Sequence, residues 1–161
     1  MRQRLNIDEY AILLAMAAAT RSEDPFRKVG AVALDWNNRV IAVAYNGLAT
    51  AQRMDFTQLT RDERLKWMIH AEQNLCSLFK RGECKTVAVT VMPCTECIKL
   101  LAAHAVKRIV YRDAYDRDGF AVEYANTVGM ELKHAVTPVR TSWGLEALAC
   151  ISRIEATESG G

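Results

Sequence analysis

The sequence predicts an α/β fold: helical layers on both sides of a central five-stranded mixed sheet, in three layers, α/β/α. Three observations carry this. Strand-like runs over 29–34, 40–45 and the β-branched 86–91 are set among apolar stretches at helical spacing. The first two strands are joined by a turn at Asp35-Trp36-Asn37-Asn38, which makes a hairpin, whereas the later strands have helices between them. The chain has 161 residues, half of them hydrophobic, enough for one domain with a real core.

The elements follow in order. Residues 7–19 are alanine-rich with apolar positions at helical spacing, and Arg21-Ser22-Glu23-Asp24-Pro25 ends that helix. Strands over 29–34 and 40–45 come next, the second closed by Asn46-Gly47. Residues 48–67 are polar and the least legible stretch; 62–67 is expected to be helical and to run into a helix over 68–79. A strand over 86–91 stops at Pro93, and 96–105 reads as a helix with Ile98, Leu101 and Ala102 on one face. Then come a strand over 107–111, a loop over 112–119, a helix over 120–128 and a strand over 130–135. Pro138 breaks the chain before a helix over 144–154. A single domain over 1–155 and a frayed tail over 156–161 are expected.

A formal net charge of +2 speaks against a dedicated nucleic-acid binder, which carries a basic face. No apolar run reaches membrane-spanning length. Residues 1–6 lack the apolar core of a signal peptide, so a cytoplasmic location is the expectation. Of five cysteines, Cys76, Cys84 and Cys150 read as reduced thiols, Cys76 and Cys150 in apolar packing. His104 and His134 read as ordinary surface or core histidines.

The chemistry concentrates in His70-Ala71-Glu72 and Pro93-Cys94-Thr95-Glu96-Cys97. Zinc takes imidazole nitrogen and thiolate sulfur, usually in a tetrahedron. Cys94 and Cys97 are three apart, so both sulfurs can face one ion where a helix begins, and a helix N-terminus favours thiolates. With His70 they make three protein ligands, leaving a fourth position for water, the catalytic rather than the structural pattern. Glu72 is a poor fourth ligand, because residues two apart on a regular helix diverge by roughly 200°. At an irregular first turn it can instead shuttle protons beside the metal. A lone C-x-x-C is also compatible with redox or structural roles; the joint pattern with Pro93 and the strand-then-helix context selects a catalytic zinc.

These residues resemble the deoxycytidylate (dCMP) deaminase family of the cytidine deaminase superfamily, whose zinc signature is H-x-E…P-C-x-x-C. The resemblance covers 16–135 and includes Asp24-Pro25 leading into Lys28-Val29-Gly30-Ala31, Tyr45-Asn46-Gly47, His70-Ala71-Glu72-Gln73-Asn74 and Tyr115-Asp116. It implies a cytidine-deaminase-like fold, Zn2+ held by His70, Cys94 and Cys97, and Glu72 as the acid/base. It further implies that the Ala71 backbone and Asn46 side chain hold the pyrimidine or sugar, and that Tyr115 packs on the substrate or touches its phosphate. Without the resemblance Asn46 is simply a turn residue before Gly47. Arg27, Lys28, Arg53, Arg61, Arg64 and Arg117 are the candidates for the phosphate.

The implied activity is hydrolysis of dCMP to dUMP and ammonia, feeding thymidylate synthesis, by a homo-oligomer that is commonly a hexamer. The family's first glycine before Tyr-Asn-Gly is Ala44 here, and Leu48-Ala49-Thr50-Ala51-Gln52 replaces a proline-containing turn that helps many relatives bind the regulators dCTP and dTTP. Regulation is therefore expected to be weak. The alternatives are a deaminase of another cytosine or adenine substrate (modified dCMP, free nucleoside or a base in nucleic acid) and a zinc-stabilised binding domain without catalysis.

Overall fold

A computed structural model describes residues 4–49, 54–115 and 117–135. Five strands form one sheet in the order β2-β1-β3-β4-β5: β1 (Gly30–Leu34), β2 (Val40–Tyr45), β3 (Thr86–Val91), β4 (Arg108–Asp113) and β5 (Glu131–His134). β1 is antiparallel to both β2 and β3, while β3, β4 and β5 run parallel, which is the expected mixed sheet. The hairpin forces the first antiparallel pair, and the helices between the later strands permit the parallel ones.

Side chains alternate across the sheet and build two cores. Val32, Leu34, Ala88 and Val110 face α1 (Ile7–Ala19). Ala31, Ala33, Val87, Val89 and Ile109 face α3 (Ala71–Cys76), α4 (Thr95–Ala103) and α5 (Ala121–Thr127). Both central strands are therefore apolar at every position or nearly so, as strands covered on two faces must be. Helix α1 begins with a reciprocal capping box, Asn6 with Glu9. It lies so close to β1 that a Cβ at Gly30 would stand 1.8 Å from the Ala15 carbonyl oxygen. At its first turn Asp8 takes two bonds from Arg108 on β4 (2.6 and 2.8 Å) and one from Lys133 on β5 (2.6 Å), pinning the helix across the sheet.

The structure departs from expectation most in 48–79. α2 (Arg61–Leu65) is a short helix, boxed by Thr60 and Glu63, and it does not continue into α3. Ile69 instead pairs with Gly47 through two backbone bonds (3.1 and 2.8 Å), so the chain is extended where one long helix was expected. A 3-10 turn at Phe56–Gln58, capped by Asp55, was not anticipated. α3 ends at Cys76, three residues short, and β4 runs two residues longer, to Asp113. The expected helix over 144–154, the break at Pro138, the tail over 156–161, Cys150 and most of the 48–52 loop lie outside the described residues.

Candidate active site

Two helix N-termini meet at one end of the sheet. His70 is the N-cap of α3, with extended backbone at φ −67° and ψ 151°, and Cys94 is the N-cap of α4, reached from β3 through Met92-Pro93. Cys97 lies in the first turn of α4. His70 Nδ1 stands 3.3 Å from Cys97 Sγ and 3.8 Å from Cys94 Sγ, and the three ligand atoms lie within 4.8 Å of one another. Zinc bonds of about 2.3 Å to sulfur and about 2.0 Å to nitrogen give a tetrahedron with edges of roughly 3.5 to 3.8 Å. The donor set and its spacing therefore fit zinc.

The cluster is electrostatically polarised. A hydrogen bond from Cys97, reinforced by one to His70, pulls the Cys94 thiol down to about 4. Its proton-holding partner Cys97 is pushed far up by that same bond and by burial. The bond to Cys94 raises His70. Thiol ligands give up their protons when a cation binds.

Because His70 sits before the helix rather than inside it, the expected divergence from Glu72 does not arise. Both line one cavity. Glu72 is 4 % exposed, and burial raises its carboxyl above the ordinary range, with Cys97 close enough to hydrogen-bond it. A carboxyl buried beside metal ligands is placed to exchange protons with what they hold.

The same cavity is lined by Ala71, Asn46 and Tyr115, so the structure brings these three together with His70, Glu72, Cys94 and Cys97. Asn46 is more committed than expected. Its Oδ1 accepts from Ser22 Oγ (2.6 Å) and the Val29 N–H (2.8 Å), and its Nδ2 donates to the Arg27 carbonyl (2.8 Å), which locks the 22–29 loop. Its second Nδ2 hydrogen has no partner among the described residues. Tyr115 carries the Arg27 guanidinium 5.2 Å above its ring.

Of the phosphate candidates, Arg27, Arg61 and Arg64 line the cavity; Lys28 and Arg117 do not, and Arg53 lies outside the described residues. Lys28 donates to the Ser22 carbonyl at 2.7 Å. Arg64 is buried and paired with buried Asp24, its guanidinium 5.0 Å from the Phe26 ring, so its charge is already answered. Sequence reasoning missed this pair and the apolar wall of Val29, Leu65, Met68 and Met92. Asp24-Pro25 was visible as a motif, but nothing in the chain between Asp24 and Arg64 marks them as partners.

Residues 5–113 match the model of the cytidine and deoxycytidylate deaminase zinc-binding region. The chain belongs to this family. Its cofactor is accordingly Zn2+, in agreement with the nitrogen and sulfur donors gathered here. This deaminase is 32 % identical over 119 residues to the deoxycytidylate deaminase of Mycobacterium phage D29, an alignment covering 65 % of this chain and 92 % of the phage protein. It is 27 % identical over 160 residues to a probable deoxycytidylate deaminase of Drosophila melanogaster, covering 87 % of this chain and 77 % of the fly protein. Its fold matches the dCMP deaminase of cyanophage S-TIM5 in apo form with a TM-score of 0.67 at 22 % identity, over 83 % of this chain and all of that one. Among the described residues no helix is long and apolar enough to cross a membrane.

Proposed function

We propose that this deaminase converts dCMP and water to dUMP and ammonia. The observation that carries the reading is one cavity holding the His70, Cys94 and Cys97 cluster, the buried Glu72 carboxyl and, on its wall, the guanidinium of Arg27 and that of Arg61. The phage and fly relatives, both named deoxycytidylate deaminases, support the same substrate.

In this reading His70, Cys94 and Cys97 hold the zinc, which when bound supplies the Lewis acidity that makes water a nucleophile near neutral pH. Val29, Met68 and Met92 give the pyrimidine ring an apolar slot, with the Ala71 backbone and the free Nδ2 hydrogen of Asn46 at its edge. Glu72 takes one proton of the attacking water and delivers it to N3 as the C4–O bond forms, then takes the proton left on the C4 hydroxyl and delivers it to the departing amine as the C4–N bond breaks. Tyr115 and Arg27 form the wall against which the nucleotide's sugar and phosphate lie, with Arg61 as a second cation.

The test is ammonia release from dCMP, CMP, deoxycytidine, 5-substituted dCMP and single-stranded DNA. We expect kcat/KM for dCMP at least roughly tenfold above that for deoxycytidine, since one charge-assisted phosphate contact contributes about 1.5–3 kcal/mol. Equal turnover moves the assignment to a nucleoside deaminase, and preference for DNA moves it to a nucleic-acid editor. The same reading includes assembly into a homo-oligomer, up to a hexamer, in the cytoplasm, and only weak response to dCTP and dTTP. Light scattering tests the assembly, and dCMP saturation curves with each nucleotide test the response.

A further inference from the structure

Helix α4 begins with a conflict. An N-cap side chain ordinarily accepts a backbone N–H of the first turn. Here the N-cap is Cys94, which makes no such side-chain cap bond and turns its sulfur toward His70. The first turn offers no replacement: Glu96 is taken by Lys99 at 2.7 Å, and Cys97 belongs to the cluster. In α3 a local side chain serves the N-cap's own N–H, Gln73 accepting from His70 at 2.9 Å.

In α4 the missing acceptor comes from the loop after β4. Asp118 Oδ2 accepts the Thr95 N–H at 2.5 Å and Oδ1 accepts the Thr95 hydroxyl at 2.7 Å. Thr95 is itself buried, between the two cysteines in sequence. The last residue of β4 is tied to the strand end that leads into α4, the Asp113 carbonyl accepting the Met92 N–H at 2.9 Å, and Tyr115 in the loop lines the cavity.

We propose that Asp118 is a positioning residue for the metal cluster: its carboxylate holds the first turn of α4 so that both cysteine sulfurs stay aimed at His70. The inference rests on the reading of His70, Cys94 and Cys97 as the zinc site. Without the Asp118 bonds the turn is free to fray, and the two sulfurs lose their common aim. Partners of this kind beyond the ligands themselves typically change metal affinity 10–100-fold.

The test is the rate at which zinc-loaded protein gives up its metal to a colorimetric chelator, with helix content followed by circular dichroism. Asp118→Ala is expected to release zinc about tenfold faster or more. Asp118→Asn keeps a carbonyl acceptor for the Thr95 N–H, caps nearly as well as aspartate, and is expected to stay within about threefold of wild type. Thr95→Val removes only the hydroxyl bond and serves where Asp118→Ala does not fold; faster release supports the proposal. Wild-type release from Asp118→Ala with helix content retained, or from Thr95→Val where it alone folds, overturns it. Release as fast from Asp118→Asn as from Asp118→Ala overturns it too. A wild-type protein that binds no zinc at all instead defeats the reading of the site, and the inference falls with it.

Discussion

Asp24→Asn removes one negative charge from the wall of the cavity and changes almost nothing in size. The side chains of Asp24 and Arg64 are 2 % and 5 % exposed, so neither charge has water to fall back on. The other carboxylate oxygen, Oδ1, accepts the N–H groups of Phe26 (2.8 Å) and Arg27 (3.1 Å). An asparagine carbonyl does the same, so the turn survives and only the ion pair is lost. Its amide then presents hydrogens to Arg64 Nη1, donor against donor. The Nε of Arg64 is already buried without a hydrogen-bond partner among the described residues, leaving mainly the Phe26 ring to face the stranded cation.

Breaking one side of a buried pair costs about 3–5 kcal/mol. The cation–π contact to Phe26 is present before and after and cancels, so a loss of at least about 3 kcal/mol is expected. With a urea slope of about 1–3 kcal/mol per molar, the midpoint should fall by roughly 1–3 M. Adding Arg64→Met removes the stranded charge. Buried pairs exchanged for apolar side chains are often nearly neutral, so the double variant should recover most of the loss. The assay is urea unfolding of the zinc-loaded wild type, both single variants and the double variant. A loss under about 1 kcal/mol for Asp24→Asn, or additive effects in the double variant, would refute the reasoning.

Three further outcomes are expected. Glu72→Gln keeps shape but carries no proton, so zinc content should be unchanged while kcat drops by on the order of 10²–10⁴; activity within a few-fold of wild type removes Glu72 from the chemistry. Hydrogen bonds from Arg108 hold the Asp8 carboxyl down to about 2, from an ordinary 3.8, with Lys133 assisting against burial. That stabilisation, about 2 kcal/mol, is complete above pH of about 4 and is lost as pH falls through about 2. Asp8→Asn should lower stability at neutral pH and flatten this acid limb in unfolding curves. Gly30→Ala drives a Cβ into the Ala15 carbonyl 1.8 Å away. It should lower the Tm by an amount equivalent to roughly 1–3 kcal/mol as α1 is pushed off the sheet, and an unchanged Tm would show that α1 yields freely.

Local patterns were legible wherever one residue's neighbours in sequence are also its neighbours in space. The strand over 86–91, the helix over 7–19 and the hairpin follow from β-branching, helical periodicity and a four-residue turn, and all three form within a residue of their expected ends. Cys94 and Cys97 were readable as a pair because the first turn of a helix fixes their separation. Glu72's placement beside His70 was readable only as a conditional, since helical spacing alone directs the two apart. The condition is met because the Gly47–Ile69 bridge keeps the chain extended up to His70, and that bridge joins residues far apart in sequence.

The sequence by itself determined which nitrogen and sulfur donors suit zinc, which carboxyl follows the histidine, and which runs become strands. The tertiary structure alone decided what each charged group is for. Arg64 and Arg27 read alike in the chain, yet burial opposite Asp24 turns one into a structural counter-ion, while the other lies over Tyr115 on the cavity wall. Asn46 became a clamp on the 22–29 loop and Asp118 a cap on α4 through partners 17 to 24 residues away. Hydrogen bonds and ion pairs depend on distances of a few ångströms. Sequence separation says nothing about those distances until the sheet has brought its edges and loops together.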